Sequence, residues 1–393
     1  MSNKVKVLYL INSLEMGGAE KVVVDLVNGI DPARFELTIC CLRKSGPCTD
    51  RIARSDVDIV EMNHGDGNDP FLPVRMARMI RGRGIDIVHC HGWGPFVEGV
   101  MAAHLGGASV MIHTDHGRVP EDFAPPGFRA RLKKRIRHRA QRFFLRGVDR
   151  LVVVSEYLNE LNAKEMGSLP CRISTLANGI HSSNGPFHRE ETRKALGLSE
   201  DDLVVFSAGR LAKIKSFETF FEAASLILRE TPRARFVLAG DGPERQGLEQ
   251  VRRRLGLESI SAMLGHRNDI PELLAASDIF VLPSNFEATS IAVLEAMALG
   301  LPVVATRVGG NPFIVSHEET GILAPPRDAA AFALATSRLL RDADLRVKMG
   351  MAGKKRVREF FSMQKMVESH ERLYLDLLTA KLEYSSRQHA GVA

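Results

Sequence analysis

The chain is 393 residues long, which sets an expectation of two domains rather than one. With 45% apolar and 25% charged residues it has the balance of a folded globular protein, and no stretch approaches the run of about eighteen uncharged apolar residues that a membrane-spanning helix needs. The net charge of +6 is smaller than the charge of one segment, residues 128–146, which holds nine Lys/Arg and no acid. The excess is therefore local, and without an aromatic stacking platform or a base-reading module a nucleic-acid partner is disfavoured.

The opening residues form a short charged lead into a strand and lack the apolar core and cleavage site of a secretion signal. Residues 5–11, 35–41, 57–62, 85–89, 109–113 and 149–153 then read as strands. Residues 19–29, 73–81, 96–105, 128–146 and 156–164 read as helices between and after them. The strands are nearly all apolar and alternate with helices, the pattern of a parallel sheet covered on both faces. Residues 178–186 are rich in turn formers and poor in apolar side chains, and they mark the hinge. The scheme repeats beyond it, with strands at 203–207, 235–239, 261–264, 278–282, 302–305 and 321–323. The helices of this half are expected at 217–229, 244–255, 270–275, 291–299 and 329–340, followed by a long amphipathic helix over 364–384. The predicted fold class is thus α/β, with domains at 1–182 and 183–364. Five cysteines (Cys40, Cys41, Cys48, Cys90, Cys171) without Cys-x-x-Cys spacing read as reduced thiols, as in a cytoplasmic protein.

The most informative stretch runs from Ser284 to Leu299. Glu287 and Glu295 bracket the start of a helix that follows the apolar strand at 278–282. A helix N-terminus offers free N–H groups and partial positive charge, which suits a phosphate. A carboxylate beside it accepts hydrogen bonds from hydroxyls instead, as a ribose or hexose presents. Phosphate donors and hydroxyl acceptors in one crevice point to a nucleotide-sugar. Gly209, Arg210 and Lys215 follow the strand at 203–207, and strand carboxyl ends are where open α/β sheets bind ligands. Two cations there suit a diphosphate leaving group; the plain alternative is a solvated turn. Gly17 and Gly18 follow the first strand and open a helix, allowing close approach to a phosphate or sugar, although no full dinucleotide fingerprint is present.

These segments together resemble the large retaining glycosyltransferase family 4. Glu287 and Glu295, with the following run from Gly300 to Gly310, match its paired-glutamate region. Gly17-Gly18-Ala19-Glu20, Asn178-Gly179-Ile180 and Gly209-Arg210-Leu211 with Lys215 agree in order along the chain. The resemblance implies the GT-B fold, two Rossmann-like domains facing across a cleft, with a final helix over about 365–393 returning to the first domain. It implies transfer of a hexose-type sugar from a nucleoside diphosphate to an acceptor held mainly by the first domain. Glu287 then meets the transferred sugar and Glu295 the ribose. The amides of Ala288, Thr289 and Ser290 meet phosphates or sugar, and Arg210 and Lys215 meet the diphosphate. Gly265, His266 and Arg267 resemble the loop that holds the base by backbone contacts, which leaves the nucleotide open. His116 resembles the cleft-facing histidine that contacts the transferred sugar or the acceptor. Front-face departure and attack, with the leaving phosphate as base, is the implied route to retention. The chain departs from the family pattern at Ser216 and Ala288, where glycine is common, at Phe313, where glutamate is usual, and at His181, where aspartate is common.

No metal and no other cofactor is expected. His89 and His91 are expected to point to opposite faces of a strand end and not to converge on an ion. Two other classes remain open at this point: a nucleotide-sugar epimerase or hydrolase of related architecture, and a non-catalytic nucleotide-binding partner subunit. The basic segment, with Arg129, Arg131, Lys133, Lys134, Arg135, Arg137, Arg139, Arg142 and Arg146, is expected as one helix with Leu132, Ile136 and Phe143 packing inward. Its charge suits an anionic membrane surface, which places the protein in the cytoplasm with peripheral binding to the inner face of the membrane and a lipid-linked or otherwise anionic acceptor.

Overall fold

The computed structural model describes residues 4–15, 17–65, 67, 69–117, 128–169, 171–181 and 185–390. The described residues up to Gly117, from Phe128 to Gly179 and from Met363 onward form one compact unit, and those from Ile180 to Ser362 form a second.

The first unit runs β1 (Val5–Ile11), α1 (Gly18–Gly29), β2 (Phe35–Cys41), β3 (Asp58–Glu61), α2 (Leu72–Arg83), β4 (Ile87–His91), α3 (Phe96–Gly106), β5 (Val110–Asp115), α4 (Phe128–Phe144), β6 (Arg150–Val153), α5 (Glu156–Met166) and β7 (Arg172–Thr175). Its strands pair in parallel in the order β3-β2-β1-β4-β5-β6-β7. Val7, Leu8, Tyr9 and Leu10 in β1, an interior strand, are fully buried, because helices cover both faces and every position must be compatible with a dry environment.

The second unit runs α6 (Arg189–Ala195), β8 (Leu203–Ala208), α7 (Phe217–Ile227), β9 (Ala234–Ala239), α8 (Arg245–Arg254), β10 (Ser261–Met263), α9 (Ile270–Ala275), β11 (Ile279–Leu282), α10 (Ile291–Ala298), β12 (Val303–Thr306), α11 (Asn311–Ile314), β13 (Gly321–Ala324), α12 (Ala329–Arg341) and α13 (Ala343–Phe360). The parallel order is β10-β9-β8-β11-β12-β13. Phe217, Phe220, Phe221 and Phe236 fill its core with Val304, Phe332 and Leu339. Asp328 and Asp342 cap α12 and α13 by accepting the N–H groups of Ala331 and Leu345, each at 2.8 Å, which satisfies donors that a helix start leaves free.

The last helix, α14 (Met363–Ala390), packs on α1 and β5. Glu371 accepts the backbone N–H of Asp31 at 2.8 Å and pairs with Arg34 at 2.9 Å. The Tyr374 hydroxyl, fully buried, bonds to Tyr9 at 2.9 Å and to His89 Nδ1 at 2.8 Å. Among the described residues, no helix is long and apolar enough to cross a membrane.

Two sequence expectations are corrected here. His89 and His91 share one face of β4, since residues two apart along a strand point the same way; their ring centroids lie 4.2 Å apart. In α4, Ile136 and Phe143 do not pack inward: each is 61% exposed, while Gln141 and, just past the helix, Leu145 are buried. The side chains of Arg129, Arg131, Leu132, Lys133 and Lys134 lie outside the described residues, as do 182–184 of the hinge segment.

The histidines make the first unit acid-sensitive. Burial pushes His116 and His370 down to about 4, and pushes His89 and His91 well below the ordinary imidazole range. The unfolded chain therefore binds protons near pH 6.5 that the folded chain refuses. Stability is full above that pH and falls as pH drops from about 6.5 toward 4, by up to about 1.4 kcal/mol per unit per histidine. Denaturant titrations at pH 8, 6.5 and 5 are expected to show a modest loss across the first interval, about 0.4 kcal/mol per histidine, and a loss several times larger across the second. A flat profile between pH 6.5 and 5 would refute the assignment of neutral, buried rings.

Candidate active site

In each unit the strand order reverses direction at one place, between β1 and β4 in the first and between β8 and β11 in the second. Such switch points open a crevice at the carboxyl ends of the strands. In the second unit the chain leaving β8 carries Arg210 and Lys215, and the chain leaving β11 carries Glu287. The structure brings the last two together. Lys215 Nζ donates to Glu287 Oε1 at 2.7 Å, and the Ser284 hydroxyl donates to the same oxygen at 2.5 Å. Glu287 is nearly buried and Ser284 wholly so. With Oε1 taken by two donors, Oε2 is left to accept from a ligand hydroxyl, and the Lys215 ammonium keeps two further donors for a phosphate.

The loop bearing Glu287 is clamped on both sides. Asn285 donates its N–H to Ile214 O at 2.7 Å, tying the loop to the turn that ends in Lys215. On the other side Gly310 donates its N–H to Glu287 O at 2.8 Å. Gly309 makes this approach possible: its φ is +50°, and a Cβ there would lie 1.8 Å from Glu287 O. Thr306 bonds to Ser284 O, and buried Asn311 donates to Thr306 O at 2.9 Å, so the clamp continues into β12 and α11.

Ala288 and Thr289 lead to Ser290, whose hydroxyl caps α10 by accepting the Val293 N–H at 3.3 Å. Glu295 lies one turn further along α10, half-buried. Arg210 is exposed at the end of β8 and, unlike Lys215, makes no side-chain bond to Glu287. Gly209 and Gly265 are drawn together through a residue that the sequence analysis passed over. Gly240, after β9, donates its N–H to Gly265 O at 2.7 Å, and a Cβ on it would lie 1.9 Å from Gly209 O. The signal was present as Gly240-Asp241-Gly242 directly after an apolar strand. His266 and Arg267 are exposed, and Arg267 is held in a fork by Asp269 at 2.8 and 2.5 Å, which raises the Arg267 pKa and lowers that of Asp269.

In the first unit Gly17 and Gly18 are exposed at the start of α1, and the Glu20 carboxylate folds back against Gly17, where a Cβ would sit 2.2 Å from Glu20 Oε2, while Gly18 faces open space. Burial raises the Glu20 pKa. His116 follows β5. Its Nε2 shares a hydrogen bond of 3.0 Å with His91 Nδ1, and buried Asp115 beside it accepts the Gly117 N–H and an Asn162 amide N–H, each at 2.9 Å. Among the described residues no group of three or more His, Cys, Asp and Glu is arranged to hold a metal ion. Phe313 packs edge-on against Phe361, centroids 5.5 Å apart, and its carbonyl accepts from Arg356 at 2.9 Å.

Two doubly wound parallel sheets, with a lysine–glutamate pair at a switch point and a capped helix beside it, define a class: α/β proteins built to hold a phosphorylated, hydroxyl-rich ligand such as a nucleotide-sugar. Comparison with known proteins agrees. The family described as Glycosyl transferases group 1 matches residues 188–356, and Glycosyltransferase Family 4 matches residues 16–184. The N-acetyl-alpha-D-glucosaminyl L-malate synthase of Bacillus anthracis is 31% identical over 315 residues, 79% of this chain and 80% of the relative. The UDP-Gal:alpha-D-GlcNAc-diphosphoundecaprenol alpha-1,3-galactosyltransferase of Escherichia coli is 28% identical over 389 residues, 96% of this chain and 99% of the relative. Among solved structures, Anabaena HepE in complex with UDP and glucose superposes with a TM-score of 0.80 at 21% identity, covering 95% of this chain and all of that one. The chain belongs to glycosyltransferase family 4 and has its GT-B fold. It is a glycosyltransferase acting on a nucleoside diphosphate-sugar, and the epimerase, hydrolase and non-catalytic alternatives are not favoured.

The Gly309 contact gives a direct check on the clamp. Gly309→Ala is expected to cost about 2 kcal/mol or more, because a left-handed residue gains a Cβ that overlaps a backbone oxygen. Gly247→Ala in α8, where a Cβ meets nothing within 4 Å, is expected to gain about 0.5–1 kcal/mol. Melting temperatures that move the same way in both variants would contradict this reading of Gly309.

Proposed function

We propose that the protein is a retaining hexosyltransferase that takes its sugar from a UDP-linked donor and passes it to a sugar carried on a lipid diphosphate, in the assembly of a polysaccharide or glycoconjugate. The observation that carries the donor half is the Lys215–Glu287 pair at the switch point of the second unit. Lys215 and Arg210 meet the diphosphate, Glu287 Oε2 accepts from a hydroxyl of the transferred sugar, and Glu295 accepts from the ribose. The amides of residues 288–290 lie at the start of α10, where phosphate oxygens are favoured. As the bond from the anomeric carbon to the phosphate oxygen breaks, its electrons pass to the leaving diphosphate, whose growing charge the two cations stabilise. The acceptor hydroxyl attacks from the face the phosphate is leaving and gives its proton to a phosphate oxygen, so configuration is retained. Charge on the diphosphate is met by side chains, and no divalent ion is needed.

UDP as the nucleotide, and a lipid-diphosphate acceptor, are supported by the Escherichia coli relative, whose name states both and which aligns over nearly the whole chain. The basic helix supports the acceptor further. Arg135, Arg137, Arg139 and Arg142 are exposed on α4 together with Ile136 and Phe143. Exposed cations interleaved with exposed apolar side chains suit an anionic lipid surface, at about 1 kcal/mol per basic residue. The protein is then a peripheral protein of the inner, cytoplasmic face of the membrane, with the acceptor on the first unit near His116.

Lys215→Ala and Arg210→Ala are each expected to lower kcat about a hundredfold, the roughly 3 kcal/mol of one lost transition-state contact; exposed Arg210→Ala should leave the melting temperature little changed, whereas Lys215→Ala, which leaves Glu287 without its cation, should also lower it. Glu295→Ala should weaken UDP binding in calorimetry, whereas Glu287→Ala should leave it largely intact and damage transfer. Turnover should survive EDTA. Near-normal rates in Lys215→Ala, equal affinity losses in both glutamate variants, or activity lost in EDTA and restored by a divalent ion would each overturn the corresponding role.

For the membrane, flotation with vesicles containing phosphatidylglycerol should carry the protein at low salt and release it as salt rises, and neutral vesicles should not carry it. Combined Arg135→Gln, Arg137→Gln and Arg139→Gln should abolish flotation. Undiminished binding by that variant would rule out α4 as the anchor.

A further inference from the structure

We propose that His91 is a positioning residue for His116: its Nδ1–H donates to His116 Nε2 and holds the His116 ring as the Nδ1–H tautomer, so that His116 offers its ligand a hydrogen-bond donor and not a base. The inference rests on the reading that His116 meets the sugar or the acceptor, and it fixes what His116 can do there.

The two rings lie 22° from parallel with centroids 5.3 Å apart and nitrogens 3.0 Å apart, an edge-to-edge arrangement joined by one N–H···N bond. Both rings are neutral at pH 7, so one proton lies between them and the question is whose it is. His91 is 2% exposed and its Nε2 has no hydrogen-bond partner. If His116 donated, the His91 proton would have to sit on that Nε2, leaving a buried N–H unmatched. Such orphaned donors are rare and cost about 1–3 kcal/mol. With the proton on His91 Nδ1, only a ring lone pair is left bare, against the neighbouring rings of Tyr9 and His89.

The surroundings hold this arrangement from below and behind. His89, its ring centroid 4.2 Å from that of His91 and tilted by 35°, is itself pinned at both nitrogens, by Thr114 Oγ1 at 2.6 Å and by the Tyr374 hydroxyl at 2.8 Å. Asp115 fixes the backbone on either side of His116 through Gly117 and Asn162. His116 is therefore anchored at its main chain and at Nε2. Its Nδ1 bonds to no described residue. Carrying the proton, Nδ1 donates to a hydroxyl or phosphate oxygen and cannot accept a proton from an attacking hydroxyl. That proton must go elsewhere, which agrees with its passage to the leaving phosphate.

The test is long-range proton–nitrogen NMR on protein labelled with ¹⁵N-histidine at pH 7.5, with the His116 signals assigned by their loss in His116→Gln. His116 is expected as the Nδ1–H tautomer. His91→Asn, whose side-chain amide can still donate, should keep that tautomer and keep kcat within a few-fold. His91→Phe should release it to a mixture with Nε2–H and lower kcat about tenfold to a hundredfold at little-changed KM for the donor. An Nε2–H tautomer in the unaltered protein, or an unchanged tautomer in His91→Phe, would overturn the proposal. So would a folded His91→Asn that behaves as His91→Phe. The tautomers are read without turnover, so the assignment stands or falls independently of the reaction assigned above.

Discussion

Glu287 is a carboxylate with almost no access to water, and the geometry of the second unit's site follows from how that is made tolerable. A buried carboxylate is strongly unfavourable unless it is paired and hydrogen-bonded. Here a lysine from the turn after β8 and a hydroxyl from the loop after β11 meet one oxygen of it. Each of these groups lies where it does for a further reason. Lys215 follows a turn whose Ile214 carbonyl receives the Asn285 N–H, and Ser284 is fixed through its own carbonyl by Thr306. The result is a charge pair with one vacant carboxylate oxygen and spare ammonium donors at the switch point of a parallel sheet. A preorganised pair of this kind does not have to be assembled when ligand arrives, which is what electrostatic stabilisation of a leaving group requires.

The first unit solves the opposite problem. It buries His89, His91 and His370 beside His116 with no carboxylate among the described residues bonded to any of their rings, so the rings stay neutral and bond to each other, to Thr114, to Tyr374 and to the Met366 carbonyl. Tyr374, His370 and Met366 all belong to α14, the last helix of the chain, and the Tyr374 hydroxyl crosses to the sheet at His89 and Tyr9. The same bonds that order the ring beside His116 therefore also attach the chain's last helix to the sheet formed by its beginning. The ionic pairs of Glu371 with Arg34 and of Lys381 with Asp149 lie nearer the surface and add less.

Much of this was legible in the sequence, and the exceptions have physical reasons. Apolar runs between glycines located twelve of the strands to within about two residues, because buried parallel strands admit little else. β7 escaped: it is an edge strand, Arg172-Ile173-Ser174-Thr175, exposed or half-exposed throughout, and its sequence has no apolar run. α13 escaped because its buried face is made partly of glycine. A Cβ on Gly350 would lie 1.9 Å from Gly300 O, so the helix packs by backbone approach and carries too few apolar side chains to show a period. The inward face assigned to α4 failed because spacing identifies a stripe but not which side of it meets the core. At the site, Lys215 and Glu287 were legible as residue types in a motif. The parts played by Gly240 and Gly309 were not, since each acts through a contact with a residue distant in the chain, and the part of Ser284 was not because a hydroxyl three residues from a carboxylate has no signature until the loop between them is folded.

The departures from the family pattern look different once placed. Ser216 stands where glycine is common, and its φ of +51° shows why: the turn after Lys215 needs a left-handed residue before α7 can begin. A serine tolerates this at a cost of about 1–2 kcal/mol, partly offset by its hydroxyl bond to Thr219 at 3.1 Å. The position of Lys215 is therefore kept, though the glycine is not. Phe313 replaces a carboxylate by a ring that packs on Phe361, beside Arg356, which itself lies over Phe360 and Phe361. That exchange moves the residue from ligand chemistry to packing against the segment where the chain leaves the second unit. Neither change touches the bonds among Lys215, Ser284 and Glu287. The bonded set of Lys215, Ser284 and Glu287 is therefore intact while the residues around it depart from the family pattern.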